Sequence, residues 1–221
     1  MAITVASYAK ATISSAPSAT TSSSFTPSSN TALFIIIGQS SGNSSITSIT
    51  DSLGGSWTSL YSNAAANPKT YLFARSAFPS GAAMTVTLNS GGNVLGLTYI
   101  VVGATGQPSA GSISSATSSN GTSAFIAVTT TAAAQVGDAY ISFLFERGIS
   151  TPTWTPGSGF TLLDSSAAGA TNTLAVQYQI ATGATTVTST ATVTGGTTTE
   201  ARQAVITSFS TPLFTGWGGP I

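Results

Sequence analysis

The 221-residue chain contains no histidine and no cysteine, and it has only 5 Lys or Arg and 5 Asp or Glu residues. The absence of His and Cys excludes a Ser-His-Asp triad, a cysteine nucleophile and the usual zinc sites. Without disulfides, stability has to come from packing and backbone pairing. The formal net charge is +0, so nothing attracts the chain to nucleic acid or to an anionic membrane, and we expect neither as a partner.

Long hydrophobic runs are missing as well. The longest apolar run, residues 32–37, has the length of a strand and not the roughly 20 residues of a membrane-spanning helix. Residues 1–10 lack the basic region followed by an apolar region that marks a secretory signal. We therefore expect a protein that is made and assembled in the cytoplasm.

Ser, Thr and apolar residues are abundant instead. Hydrophobic residues make up 41 % of the chain, with 10 Phe, 6 Tyr and 3 Trp, which is enough for a sizeable core and too much for a disordered chain. The mean hydropathy is +0.32. Thr, Val, Ile and aromatic residues suit strands, because their side chains pack well on a pleated surface. The composition predicts an all-β protein.

Short strand-like runs alternate with turn-like Gly, Pro and Asn clusters along the whole chain. The predicted runs are 11–14, 32–37, 46–50, 57–61, 71–75, 84–88, 97–102, 124–128, 139–145, 151–155, 160–163, 174–180, 185–193 and 204–209. Alternation of apolar and polar residues, as in 84–88, indicates a strand with one buried face. The longer apolar runs indicate central strands that are covered more completely.

The two halves of the chain resemble each other in sequence. Trp57 aligns with Phe160 and Tyr71 with Leu174, and both pairs are 103 residues apart. We interpret this as an internal repeat of a unit with about seven strands, the size of a small sandwich. The predicted fold is two tandem Greek-key/Ig-like or jelly-roll-like β-sandwich units. The predicted divisions are 1–106, a first unit with an N-terminal strand or arm; 107–121, a Ser/Gly-rich linker; 122–210, a second unit; and 211–221, a tail.

The five carboxylates are Asp51, Asp138, Glu146, Asp164 and Glu200. Asp51 and Asp138 lie beside turn glycines, where Asp commonly accepts hydrogen bonds from the backbone. Glu146 precedes Arg147 and Glu200 lies near Arg202, which indicates strand-end or interface ion pairs more than a pair of catalytic acids. We predict no catalytic residue, no cofactor and no metal, although a weak calcium site at Asp51 or Asp164 stays open.

Four aromatic residues are candidates for contacts with partners. Trp57 and Trp154 occupy similar places in the two halves, each beside a turn, and are either core aromatics or platforms on which a glycan stacks. Phe214 and Trp217 follow the last predicted strand among Gly and Pro residues. They either fold back onto their own unit or form assembly contacts with a neighbouring subunit.

The low charge favours a component of a large, permanent assembly, because covering a hydroxyl costs less than covering an ion. Segment 46–58 (ITSITDSLGGSWT), the later strand ending at 99–102, and the variant at 154–163 (WTPGSGFTLL) resemble β-sandwich structural proteins of tailed bacteriophages. The resemblance implies a non-enzymatic virion protein, with a capsid decoration (cement) protein preferred over a head fibre or a minor tail protein. The partners it implies are other copies of the chain and a major capsid or other virion protein.

The main alternative is a carbohydrate-binding or adhesin module, in which Trp57 and Trp154 would contact the glycan. Similar sandwiches occur in bacterial surface proteins. An enzyme is the least favoured class, because the chain lacks His and Cys and has few carboxylates.

Overall fold

The computed structural model describes residues 3–41, 44–64, 68–75, 79, 81–106, 109–119, 125–129, 136–147, 153–167, 172–183, 186–194 and 201–210. Their regular structure consists of strands, in agreement with the predicted all-β fold. In chain order the strands are β1 (Thr4–Ala16), β2 (Ala19–Thr21), β3 (Thr31–Ser41), β4 (Ile46–Asp51), β5 (Trp57–Asn63), β6 (Lys69–Arg75), β7 (Val86–Ser90), β8 (Val94–Thr105), β9 (Ser109–Ser119), β10 (Phe125–Thr129), β11 (Ala139–Arg147), β12 (Thr153–Pro156), β13 (Thr161–Ala167), β14 (Asn172–Ile180), β15 (Thr188–Thr194) and β16 (Ala201–Ser210).

The strands form four antiparallel sheets. Inner sheet 1 has the order β1-β8-β3-β6-β5, and outer sheet 1 has the order β2-β7-β4. Inner sheet 2 has the order β13-β14-β11-β16-β9, and outer sheet 2 has the order β10-β15-β12. Each outer sheet packs on its inner sheet to form a β-sandwich, and the two inner sheets pack on each other.

Three hydrophobic cores separate these four layers. On β3, Leu33, Ile35 and Ile37 enter the core of the first sandwich, while Phe34 and Ile36 enter the middle core between the two inner sheets. Strand β11 divides its side chains in the same way, since Phe143 and Phe145 belong to the middle core and Tyr140 and Leu144 to the core of the second sandwich. The central strands β3, β8 and β11 are therefore buried on both faces, which explains their unbroken apolar runs.

The strand order is the same in both halves. Raising every strand number by eight converts β1-β8-β3-β6-β5 into β9-β16-β11-β14-β13, and it converts β2-β7-β4 into β10-β15-β12. Each half thus has eight described strands, one more than the seven expected from the sequence. The topological correspondence concerns backbone pairing, and the internal repeat of the sequence stays a prediction.

A one-residue bulge lies at corresponding places in the two halves. Strand β5 has its register shift at Leu60 and β13 has its shift at Leu163, 103 residues later. In the neighbouring strands the correspondence moves by one residue, because Tyr61 pairs with Leu72 whereas Asp164 pairs with Val176. A uniform offset of 103 residues therefore matches each residue of β6 with a residue that lies on the opposite face of β14.

The segment 107–121, predicted to be a linker, contains strand β9. From Ser109 to Ser119 this strand pairs with β16 at the edge of inner sheet 2. Its sequence, SAGSISSATSS, has almost no apolar alternation, so the pairing comes from backbone hydrogen bonds and not from a pattern that the sequence reveals. The short strand β2 escaped prediction for the same reason. The tail 211–221 lies outside the described residues.

Hydrogen bonds of buried polar side chains connect the two sheets of the second sandwich. The Gln177 amide nitrogen donates to Ser189 Oγ at 2.8 Å and to the Thr190 carbonyl at 2.9 Å. Ser189 Oγ in turn donates to Ser142 Oγ at 2.6 Å, and Gly157 N donates to Gln177 Oε1 at 3.1 Å. These bonds join inner sheet 2 to outer sheet 2 within a buried core, where an unpaired polar group would be costly.

The inner sheets approach each other closely at Gly38 on β3. A Cβ atom on Gly38 would overlap the ring of Phe145 on β11. Glycine is required here, because the ring of Phe145 occupies the space that a side chain would fill.

We expect Gly38→Ala to destabilise the protein by about 1–3 kcal/mol, because the added methyl group overpacks the middle core. The measurement is the free energy of unfolding in urea. Gly91→Ala is the matched control, since a Cβ atom there meets nothing within 4 Å. Equal stability of the two variants would contradict the close approach of the inner sheets.

Candidate functional site

The carboxylate of Asp51, at the end of β4, accepts four hydrogen bonds. Its Oδ1 accepts hydrogen bonds from Leu53 N at 2.9 Å and Gly55 N at 3.1 Å. Its Oδ2 accepts from Trp57 Nε1 at 2.8 Å and from Arg75 Nε at 2.9 Å. We call Asp51, Gly55, Trp57 and Arg75 the Asp51 cluster. It joins β4 of outer sheet 1 to β5 and β6 of inner sheet 1.

The Asp51 cluster is a structural ion pair. The side chains of Asp51 and Arg75 are 0 % and 6 % exposed. Burial by itself raises the pKa of Asp51, but the hydrogen bonds from Arg75, Gly55 and Trp57 and the charge of Arg75 hold this pKa below its usual value. Four donors occupy the acceptor positions of the carboxylate, which leaves none for a calcium ion.

The turn after β4 has a conformation that brings these donors together. Gly54 has a φ of 72°, in the left-handed region that glycine adopts readily. Its amide donates to the Asp51 carbonyl at 3.1 Å. At Gly55 a Cβ atom would overlap the guanidinium group of Arg75. The Gly-Gly pair therefore makes room for the arginine beside the carboxylate.

The second described ion pair joins the two halves of the chain. Asp164 on β13 accepts hydrogen bonds from Lys10 Nζ at 2.5 Å and Ser7 Oγ at 2.6 Å, both on β1. Burial raises the pKa of Asp164, but Lys10, Ser7 and the Ser165 amide together hold this pKa below its usual value. Lys10 is 47 % exposed, so this pair contributes little to stability.

Three carboxylates remain, those of Asp138, Glu146 and Glu200. Asp138 and Glu146 are both buried, and each has a polar or electrostatic interaction. Glu146 lies opposite Arg202 of β16 in the register, and opposite Thr173 of β14. Glu200 lies outside the described residues. In the part of the chain that the structure describes, no group of three or more His, Cys, Asp or Glu side chains could hold a metal ion.

The two tryptophans differ in their surroundings. Trp154 is 8 % exposed and belongs to the core of the second sandwich, so its ring does not offer the open face that a stacking sugar needs. Trp57 is half-buried, packs against the first core, and donates its ring N–H to Asp51. A glycan-stacking role for Trp57 stays a prediction. Phe214 and Trp217 lie outside the described residues, so their role as assembly contacts also stays a prediction.

A hydroxyl-rich surface covers the outside of outer sheet 1. Thr21, Thr87 and Thr50 lie side by side across β2, β7 and β4, and Ser48 and Asn89 form the next row. We call these five residues the threonine face. Thr21 and Thr87 share a hydrogen bond of 2.8 Å between their hydroxyls. Asn89 Nδ2 donates to Thr50 Oγ1 at 3.4 Å.

Outer sheet 2 has a similar exterior. Thr188, Thr190 and Thr192 alternate along β15 with the buried residues Ser189 and Ala191. These threonines are exposed or half-buried. Both outer sheets thus present threonine on the side away from the middle core.

Sequence reasoning missed the partners of the charged residues and the threonine face. Asp51 and Arg75 are 24 positions apart, and Lys10 and Asp164 are 154 apart. No local spacing indicates either pair. The signal for the threonine face was present, because 84–88 alternates Thr with apolar residues, and a strand with one buried face exposes those threonines.

Comparisons with known proteins add little. No protein-family model matches the chain, and no curated protein matches it. Among solved structures, the chain is similar to the C-terminal domain of the Streptococcus agalactiae AgI/II polypeptide BspA. The identity is 10 %, the match covers 79 % of this chain and 75 % of that chain, and the TM-score is 0.18. The described residues contain no helix long and apolar enough to cross a membrane.

We expect Asp51→Asn to cost about 3–5 kcal/mol at neutral pH, because it leaves the buried Arg75 without its counter-charge. The folded-state pKa of Asp51 is lowered, so its contribution is complete above the unfolded pKa and is lost as the pH falls through the folded pKa. The difference between wild type and variant, measured by urea unfolding, should therefore shrink below about pH 4.

Asp164→Asn is the matched control. It also removes a carboxylate from an ion pair, but the exposed Lys10 stays hydrated, so we expect a loss of about 0–1 kcal/mol. Equal losses in the two variants, or a difference at Asp51 that does not depend on pH, would contradict the structural role given to the Asp51 cluster.

Proposed function

We propose that this chain is a non-enzymatic structural protein of a bacteriophage virion, either a capsid decoration (cement) protein or another component of the head or tail surface. Its partners are other copies of itself and a major capsid or other virion protein, and it joins them in the host cytoplasm. The proposal rests on the sequence resemblance and on one structural observation, the placement of the charged residues.

The charged side chains whose surroundings the structure describes are used within the chain. Lys69 Nζ donates to the Ser44 carbonyl and to Ser45 Oγ, both at 3.1 Å. Asp51 and Arg75 form the buried Asp51 cluster. The others with internal interactions are Lys10, Asp138, Glu146 and Asp164. The outer faces are left with hydroxyl groups in place of charges.

A surface of this kind supports a role in assembly. Another protein can cover hydroxyl groups at a small cost in free energy, because a hydroxyl is far easier to desolvate than an ion. Most soluble proteins carry interspersed charges that keep their copies apart in solution. A chain with few exposed charges can be covered at a small cost, as it would be on a particle.

The first expected outcome is that the native protein copurifies with a symmetric particle and is present in many copies. The measurement is gradient purification of the native source, followed by quantitative mass spectrometry and electron microscopy. The stoichiometry relative to the major particle protein is the control, because a contaminant would not hold a fixed ratio. Recovery only as a free monomer would contradict the proposal.

The alternative function, a carbohydrate-binding or adhesin module, depends on Trp57, since Trp154 is buried. If the chain is a structural protein, a glycan array should give no signal with the wild type. A signal that disappears in Trp57→Ala, but persists when the exposed neighbour Thr58 is changed to Ala, would establish the alternative and contradict the structural role. Trp154→Ala is unsuitable here, because truncating a buried tryptophan costs about 3–5 kcal/mol.

A further inference from the structure

We propose that the first sandwich contains a binding site for one buried water molecule, formed by the side chains of Gln39 and Tyr71 beneath residues 44–46. The inference concerns the interior of the molecule and is independent of the proposed function. It rests on two buried polar atoms that form no hydrogen bond with the described chain, and on the contacts that bring both atoms to the same segment.

The two atoms are Oε1 of Gln39, on β3, and the hydroxyl oxygen of Tyr71, on β6. Gln39 is 0 % exposed and Tyr71 is 1 % exposed. Neither atom forms a hydrogen bond with any residue that the structure describes. A buried polar atom normally has a partner, either in the protein or in an ordered water molecule, because leaving it unsatisfied is costly. A water molecule is the partner that remains for both atoms.

Gln39 and Tyr71 lie on the same face of inner sheet 1. In the antiparallel register Tyr71 is opposite Ile37, and Gln39 is opposite Lys69. Gln39 follows Ile37 by two residues, so its side chain lies on the same face of β3, which is the face of the first core. Diagonal neighbours of this kind are within reach of each other when their side chains are long or aromatic.

Both side chains also reach the segment between β3 and β4. The amide nitrogen of Gln39 donates to the Ser44 carbonyl at 2.7 Å, which places Oε1 of the same amide group beside this segment. Burial raises the pKa of the Tyr71 hydroxyl, while the Ser45 side chain and the Ile46 amide beside it act to lower this pKa. Neither Ser45 nor Ile46 makes a hydrogen bond of good geometry with the hydroxyl. The two atoms thus meet the chain at consecutive residues.

The chemistry of the site selects water over an ion. Oε1 of Gln39 only accepts hydrogen bonds, whereas the Tyr71 hydroxyl both donates and accepts, and a water molecule matches this pair. The Lys69 ammonium donates to the Ser44 carbonyl and to Ser45 Oγ, both at 3.1 Å, so a metal cation would be repelled. Oε1 of Gln39 would repel an anion. Ser45 Oγ has its own hydrogen to donate, which gives the water the roughly three bonds that buried waters form.

The water connects β3, β6 and the beginning of β4. Strand β4 begins at Ile46 and ends at Asp51. Strand β6 begins at Lys69 and ends at Arg75. The water site and the Asp51 cluster therefore lie at opposite ends of these two strands. The first sandwich is joined at one end by an ion pair and at the other end by a hydrated polar cluster.

The direct test is a crystal structure of the full chain at a resolution that shows ordered water. We expect one water oxygen within about 2.7–3.2 Å of both Gln39 Oε1 and the Tyr71 hydroxyl. Density for an ion at this position, a direct hydrogen bond between the two side chains, or two well-ordered side chains without a water between them would overturn the inference.

The test in solution is a double-mutant cycle with Gln39→Met and Tyr71→Phe, measured by urea unfolding. Gln39→Met keeps the length of the side chain, and Tyr71→Phe keeps the aromatic ring. If both atoms bind the same water, the two substitutions should be non-additive, with a coupling of about threefold or more in the unfolding equilibrium constant.

The matched control combines Gln39→Met with Tyr99→Phe. Tyr99 is also buried and lies opposite Ile37 on the other side of β3, but burial alone raises the pKa of its hydroxyl, with no hydrogen bond to residues 44–46 among those described. This second cycle should be additive. Additivity in both cycles, or equal coupling in both, would contradict a water shared by Gln39 and Tyr71.

Discussion

The packing of the two inner sheets on each other is the constraint on which the rest of the molecule depends. It buries the second face of each sheet and places Phe34, Ile36, Phe143 and Phe145 in one middle core. A sandwich in water normally keeps the exterior of each of its sheets polar. Here the central strands have no polar exterior, and water is met by the two outer sheets, which are three strands wide, and by the edge strands β1 and β5.

The charged residues are distributed unevenly over this arrangement. The outer strands meet water with threonine and serine, whereas seven of the ten charged residues lie on strands of the inner sheets. The few charges then take specific structural positions. Asp51 and Arg75 close the first sandwich between β4 and β6, and Lys10 and Asp164 join β1 to β13.

The sequence predicts the all-β class and most strands, because β-branched alternation and turn residues are local signals. It does not predict β9, whose serines carry no apolar pattern and whose position depends on pairing with β16. It also does not predict the Asp51 cluster. An acidic residue before Gly54 indicates a turn, but only the fold brings Arg75 from another strand to the carboxylate.

The two-sided burial of the inner strands has a consequence for how their alignment is determined. In an ordinary strand, a slip of one residue exposes the apolar side chains, so the alternating pattern itself fixes the register. A slip in β3 would only exchange Leu33, Ile35 and Ile37 with Phe34 and Ile36, and both faces would stay apolar. The information that aligns these strands must therefore lie in the exceptions: a glycine beneath Phe145, and the buried polar network around Gln177. In the inner sheets, the apolar residues stabilise the packing, and the rare small and polar residues fix the register of each strand.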